Sequence, residues 1–113
     1  MNTMIVMYNL AEGQNEAEFE TWLREIDMPG YAKLKSMRNP TYYRASGLLG
    51  ENAPAPFEYI VTIEMDSAEA VESEMAAPEW EGFVADFEGR TVDHAFVVAQ
   101  RIIPFLSKEA RNA

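Results

Sequence analysis

The stretch 42-YYRASGLLGENAPAPFEYIVTIEM-65 decides the fold. Two runs rich in β-branched and aromatic residues flank a segment of Gly, Asn and Pro. That pattern predicts two neighbouring strands, Thr41 to Leu49 and Phe57 to Met65, joined by a long shaped connection. Pro54 and Pro56 fall in the connection, where their missing N–H groups cost no ladder bond. They also stiffen it. Alternation in the second run puts Tyr59, Val61, Ile63 and Met65 on one face and Ile60 and Thr62 on the other, so both faces are apolar. Tyr43, Arg44, Tyr59 and Glu64 stand among these apolar residues, as on the floor of a binding site.

Before this stretch, Thr3 to Leu10 (TMIVMYNL) is an apolar run with Ile and Val, predicted as a central strand. Asn15 opens a helix, with Glu18 three residues on as in a capping box. Phe19, Trp22, Leu23 and Ile26 then form one apolar stripe, and Pro29 and Gly30 are expected to end the helix. Tyr31 to Met37 reads as either a helical turn or a loop. It carries Lys33 and Lys35, with Arg38 just beyond, a cluster read as a solvated surface or else as a seat for an anion or an acidic partner helix.

After the second of the two runs, Asp66 or Ser67 caps a helix running to about Met75, with Ala70, Val71 and Met75 inward. Pro78 starts a further helical segment whose stripe is Trp80, Phe83, Val84 and Phe87, stopped by Gly89. Glu69, Glu72, Glu74, Glu81, Asp86 and Glu88 read as its solvated face and that of the preceding helix. Asp93 to Ile102 is the last strand.

The order is β-α-β-β-α-β, the ferredoxin-like α+β pattern with an antiparallel four-stranded sheet. Residues 1–103 are expected to form one domain and 104–113 a tail, with an apolar knot, Ile103 to Leu106, across their junction. Helices cover one sheet face. The other should be polar if it met water, yet it too is apolar. A homodimer whose sheets face each other accounts for this most simply.

With 113 residues and a formal charge of −10, the chain is a poor partner for nucleic acid or an anionic membrane surface. No 18-residue apolar run predicts a membrane span, and no basic-then-apolar leader is seen. The expected location is cytoplasmic. The absence of cysteine rules out disulfides and thiolate chemistry. A single histidine, His94, leaves a poor ligand set, so no metal and no cofactor are expected. Phosphate-loop, nucleophile-elbow and HExxH motifs are absent.

Asp27, at the expected end of the first helix, would face the negative end of the helix dipole, which raises a carboxyl pKa and suits a general base or acid. The alternative is an exposed Asp beginning a turn. Glu64 would either pair with Arg44 on the neighbouring strand or turn to water. Tyr8, Tyr43 and Tyr59 could present hydroxyls to a cavity, or simply find backbone partners. Asn9 could donate to a ligand carbonyl or make the turn. His94 could act as a base but starts a strand beside Asp93, which favours an edge position.

The segments IVMYNL, FETWLREIDMP, RASGLLGENAPAP with FEYI, and FVVAQRI, in that order across residues 4–102, resemble the RedY-like (HapK-type) family of the dimeric α+β barrel superfamily. The resemblance implies a small homodimer with a cavity in each subunit between sheet and helices. It also implies action on an aromatic or polyketide-like secondary metabolite without a bound cofactor. In that comparison Asp27 matches the Asp of the family's D-x-P segment, Arg44 the Arg before the Gly-Leu-Leu-Gly run, and Tyr59 the aromatic after the Ala-Pro-Ala-Pro run.

These readings converge on a cofactor-independent enzyme, a cyclase, dehydratase or oxygenase-like catalyst for an aromatic or heteroaromatic intermediate. Asp27 would move the proton, and Arg44 or Tyr59 would polarise a carbonyl. Tyr8, Asn9, Trp22, Tyr43, Glu64, Trp80 and Phe83 would line the site. The alternatives are a non-catalytic carrier dimer for a hydrophobic metabolite, and a sensing or structural dimer with a filled core.

Overall fold

A computed structural model describes residues 2–104. The chain runs β1 (Asn2–Leu10), α1 (Glu16–Trp22), a π-helical segment (Leu23–Asp27), α2 (Met28–Tyr31), β2 (Met37–Arg44), β3 (Tyr59–Met65), α3 (Ala68–Met75), a 3-10 turn (Pro78–Trp80), α4 (Glu81–Arg90) and β4 (Thr91–Gln100). The strands form one sheet in the order β2-β3-β1-β4, every pair antiparallel. This is the ferredoxin-like α+β arrangement, with β1 central as its apolar faces require. The tail beyond Pro104, including half of the expected apolar knot, lies outside the described residues.

Two predicted caps close as drawn. The Asn15 side chain accepts from Glu18 N, and the Ser67 hydroxyl accepts from Ala70 N. Each satisfies a first-turn N–H that has no intrahelical partner. The core forms between the helices and one sheet face: Val6, Tyr8, Tyr59, Val61, Ile63 and Met65 from the strands meet Phe19, Trp22 and Leu23.

The first helix departs from expectation at its far end. Pro29 and Gly30 do not stop it; the helical path continues to Tyr31. The intervening turn is π, with Met28 N donating to Leu23 O five residues back. Pro29 lacks the N–H that a helix interior would use, and the widened turn lets the path go on past it. A π turn adds one residue to the helix, so every later position shifts in phase. Ile26, expected inward, is therefore 50% exposed, and Asp27 takes the inward place at 5%.

The second predicted strand is displaced. It starts at Met37 and ends at Arg44 rather than spanning Thr41 to Leu49. Pro40 fits inside it because the register slips between Arg38 and Thr41, where Asn39 takes φ +52°. Gly47 and Gly50, both at positive φ, turn the connection instead of extending the strand. Helix α4 runs through Gly89 to Arg90, and β4 starts at Thr91. A bulge in β4 faces Tyr8: Met7 pairs with Ala95 but Asn9 with Val92, and Asp93 has φ +57°.

Two of the acids read as solvated have work within the fold. Glu74 accepts from the backbone N–H groups of Lys35 and Ser36 and from the Ser36 hydroxyl. The Ser36 bond in particular holds its pKa below the usual value. Asp86 accepts from the Trp22 indole N–H at 2.9 Å and from Arg90. In the basic cluster, Arg38 pairs with Asp66.

The face away from the helices carries Ile5 and Met7 of β1, Ile60 and Thr62 of β3 and Val97 of β4, by register. Val97 is 41% exposed. No helix of the described residues is long and apolar enough to cross a membrane.

Candidate active site

Because the π turn rotates Asp27 inward, its carboxyl enters the wall of a cavity of about 210 Å³ between sheet and helices. The rest of the wall is mostly apolar, built by Val6, Val61, Met75, Phe83 and Phe87 among others. Tyr42 of β2 donates its hydroxyl to Asp27 Oδ2 at 2.7 Å. Burial raises the Asp27 pKa to about 6, against the opposing pull of that hydrogen bond. The expected shift is therefore present, but its cause is desolvation, not the dipole: the helix does not end at Asp27. Burial, then the Asp27 charge, push the Tyr42 phenol well above its ordinary range, so Tyr42 stays a donor.

Two more phenols stand near Asp27. Tyr31, one turn on, has its pKa raised by burial and by the Asp27 charge. Tyr8 is 1% exposed. Its ring is stacked on Tyr59 (5.7 Å between centroids) and met edge-on by Phe19 and Phe87. Tyr8 lines the cavity, and its buried hydroxyl has no hydrogen-bond partner among the described residues.

Arg44 and Tyr59 are not beside Asp27. They pair across the strands and meet Glu20, which lies two helical turns before Asp27, about 10 Å along the helix. The Arg44 guanidinium donates to both Glu20 oxygens, and the Tyr59 hydroxyl donates to Oε2 at 2.8 Å. The Arg44 bond is the main reason the Glu20 pKa is lowered. This trio lines a separate, more open cleft of about 320 Å³ together with Tyr42 and Tyr43. Tyr42 lines this cleft, and its hydroxyl reaches Asp27.

The pairing of Glu64 with Arg44 is not formed. The register sets Glu64 opposite Arg38 and Arg44 opposite Tyr59, about 17 Å apart along the strand. Glu64 instead accepts from the Asn39 amide. Asn9 is spent on the chain: it accepts from Glu58 N and donates to Pro56 O and Asp93, pinning the end of the long connection. Trp22 is a core residue, stacked on Phe19 and bonded to Asp86. Of the remaining expected lining residues, Phe83 reaches the cavity, Trp80 packs edge-on against it, and Tyr43 lies 52% exposed at the cleft. His94, on edge strand β4, shares a hydrogen bond with Thr91 Oγ1 and packs on Phe87 and Phe96.

Three residues escaped the reading of the sequence. Tyr42 had a signal: it has the parity of Arg44, so a site containing Arg44 should include Tyr42 before Tyr43. Glu20 lay next to the apolar stripe and carried none. Gly30 looked like a helix stop, but it is buried, and a Cβ there would lie 2.7 Å from Phe83 Cε1. Its lack of a side chain lets α2 approach the cavity wall.

Solved structures share this architecture. HapK from Hahella chejuensis superposes with a TM-score of 0.72 at 22% identity, over 95% of this chain and 98% of that one. SnoaB from Streptomyces nogalater, a cofactor-independent oxygenase, gives 0.63 at 14% identity over 92% and 97%. A dimeric ferredoxin-like protein from Thermobifida fusca gives 0.62 at 14% over 88% and 90%. No curated protein matches in sequence. The family model for the REDY-like protein HapK matches residues 2–102, and the chain belongs to that family.

Proposed function

We propose that this protein is a cofactor-independent enzyme that moves a proton on an aromatic or heteroaromatic small molecule of secondary metabolism. The observation that carries this reading is Asp27: a buried carboxyl with a pKa raised to about 6, held by Tyr42 in the wall of an apolar cavity. A carboxylate that titrates near the working pH is suited to general acid–base catalysis. Its Oδ2 is held by Tyr42, leaving Oδ1 to take a proton. Cyclisation, dehydration and cofactor-free oxidation can all begin with such a removal. A cavity of about 150 Å³ holds benzene, so about 210 Å³ suits one ring with substituents or a compact bicycle.

The working form is a homodimer closed through the apolar sheet face of Ile5, Met7, Ile60 and Val97, which would otherwise leave these side chains against water. The dimeric relative with this fold supports that assembly. A cytoplasmic setting accords with a chain that has no cysteine.

The test is exchange of an acidic carbon-bound hydrogen of a one- or two-ring aromatic ligand in D2O. Wild type should catalyse the exchange. Asp27→Asn should bind the ligand comparably and lose catalysis. Full exchange by that variant would remove Asp27 from the chemistry and favour a carrier.

A further inference from the structure

Arg44 and Tyr59 are committed to Glu20, so neither is free to polarise a substrate in the Asp27 cavity. Two phenols outside those pairs line that cavity, Tyr8 and Tyr31, and of these the Tyr8 hydroxyl is the one that is buried with no partner among the described residues. A buried phenol normally finds an acceptor. Three aromatic rings hold the Tyr8 ring in place, and the β4 bulge lies opposite it, so the hydroxyl is fixed in position. Tyr42 does not compete, because its proton is directed at Asp27.

We propose that Tyr8 donates its hydrogen bond to a carbonyl oxygen of the bound molecule, which makes the substrate class an enolisable aromatic or heteroaromatic ketone. This deepens the proton-transfer reading above and rests on it. In the step, Asp27 takes the hydrogen from the carbon next to the carbonyl. The C–H electron pair becomes the new C=C bond, and the C=O π pair moves onto oxygen. Tyr8 stabilises that oxygen as its charge develops, where a fixed donor is worth most. Protonated Asp27 then returns the proton to carbon or passes it to the enolate oxygen. No electrons leave the substrate, so no oxidant is needed for this step.

The probes are 1-tetralone, a two-ring enolisable ketone, and tetralin, which has the same frame without the oxygen. Isothermal titration with wild type should show 1-tetralone binding roughly 2- to 10-fold more tightly relative to tetralin than it does with Tyr8→Phe, the range of one neutral hydrogen bond. Tyr8→Phe should fold normally, since the lost hydroxyl has no partner among the described residues. Should that variant misfold, the carbonyl stretch of 1-tetralone bound to wild type decides instead: a shift to lower frequency supports the bond. An unchanged ketone preference in Tyr8→Phe, no preference in wild type, or an unshifted stretch overturns the role of Tyr8. Asp27→Asn separates the two levels. It should keep the ketone preference and lose exchange at the carbon next to the carbonyl. If it keeps the exchange, the proton-transfer reading fails, whatever Tyr8 does.

Discussion

Replacing Asp27 by Asn should stabilise the protein, and only at higher pH. The carboxyl titrates at about 6 in the folded chain and at about 3.9 when unfolded. The folded pKa is the higher one, so burial penalises the ionised form. Below about pH 4 both states hold the proton and there is no penalty. Between about pH 4 and 6 the unfolded chain ionises first, and stability falls by about 1.4 kcal/mol per pH unit. Above about pH 6 the full loss is reached, about 2 units or about 3 kcal/mol. Asn has nearly the same shape, does not ionise, and can still accept from Tyr42. The variant should therefore match wild type at pH 4 and exceed its unfolding free energy by up to about 3 kcal/mol at pH 8. Urea denaturation at pH steps from 4 to 8 measures the difference. A difference that stays flat with pH, or an Asn variant weaker than wild type at pH 8, would refute the buried, raised carboxyl. The catalysed exchange should show the opposite sense, rising with pH through about 6 as Asp27 becomes the base.

Three further outcomes follow from particular contacts. Gly30→Ala gains about 1 kcal/mol of helix propensity but drives a methyl against Phe83, an overpacking cost of about 1–3 kcal/mol. It should lose up to about 2 kcal/mol by urea denaturation and bind 1-tetralone more weakly, as Phe83 swings into the cavity. Val97→Asp puts a charge on the apolar sheet face; sedimentation velocity should find a dimer for wild type and a monomer for the variant, and a monomeric wild type would sink the assembly. Asn9→Ala removes the side-chain bonds that tie Pro56 O and Glu58 N to β1, while Leu10 N still donates to the Glu58 carboxylate. It should cost roughly 1 kcal/mol and speed proteolysis in the connection, with exchange rates staying within about twofold because Asn9 stands outside the Asp27 cavity.

Much of the architecture was legible because it is written in local patterns. Asn15 and Ser67 cap helices through bonds that span three residues, so the spacing alone announces them. The alternation of Tyr59 to Met65 fixed which β3 residues enter the core, since adjacent side chains point to opposite faces. The site was less legible. The sequence offers a helix-end dipole as the reason to raise the Asp27 pKa, but burial raises it, and that burial depends on one extra residue in the turn before it. Residue parity leaves Glu64 either paired with Arg44 or turned to water; the register, which slips at Asn39 and Pro40, sets Arg44 opposite Tyr59, where it meets Glu20. Glu74 and Asp86 looked solvated because each finds its partners in an element distant in the chain.

The element order and the apolar character of both sheet faces were readable from residue type and short-range spacing, which suffice for these. Long-range packing set the rest: Asp27 faces a cavity, Tyr42 holds it, Glu20 occupies Arg44 and Tyr59, and the Tyr8 hydroxyl has no partner among the described residues. Each of those facts follows from helical phase or strand register. A shift of one residue in either turns a side chain to a different face, and which shift prevails is settled only when distant segments pack together.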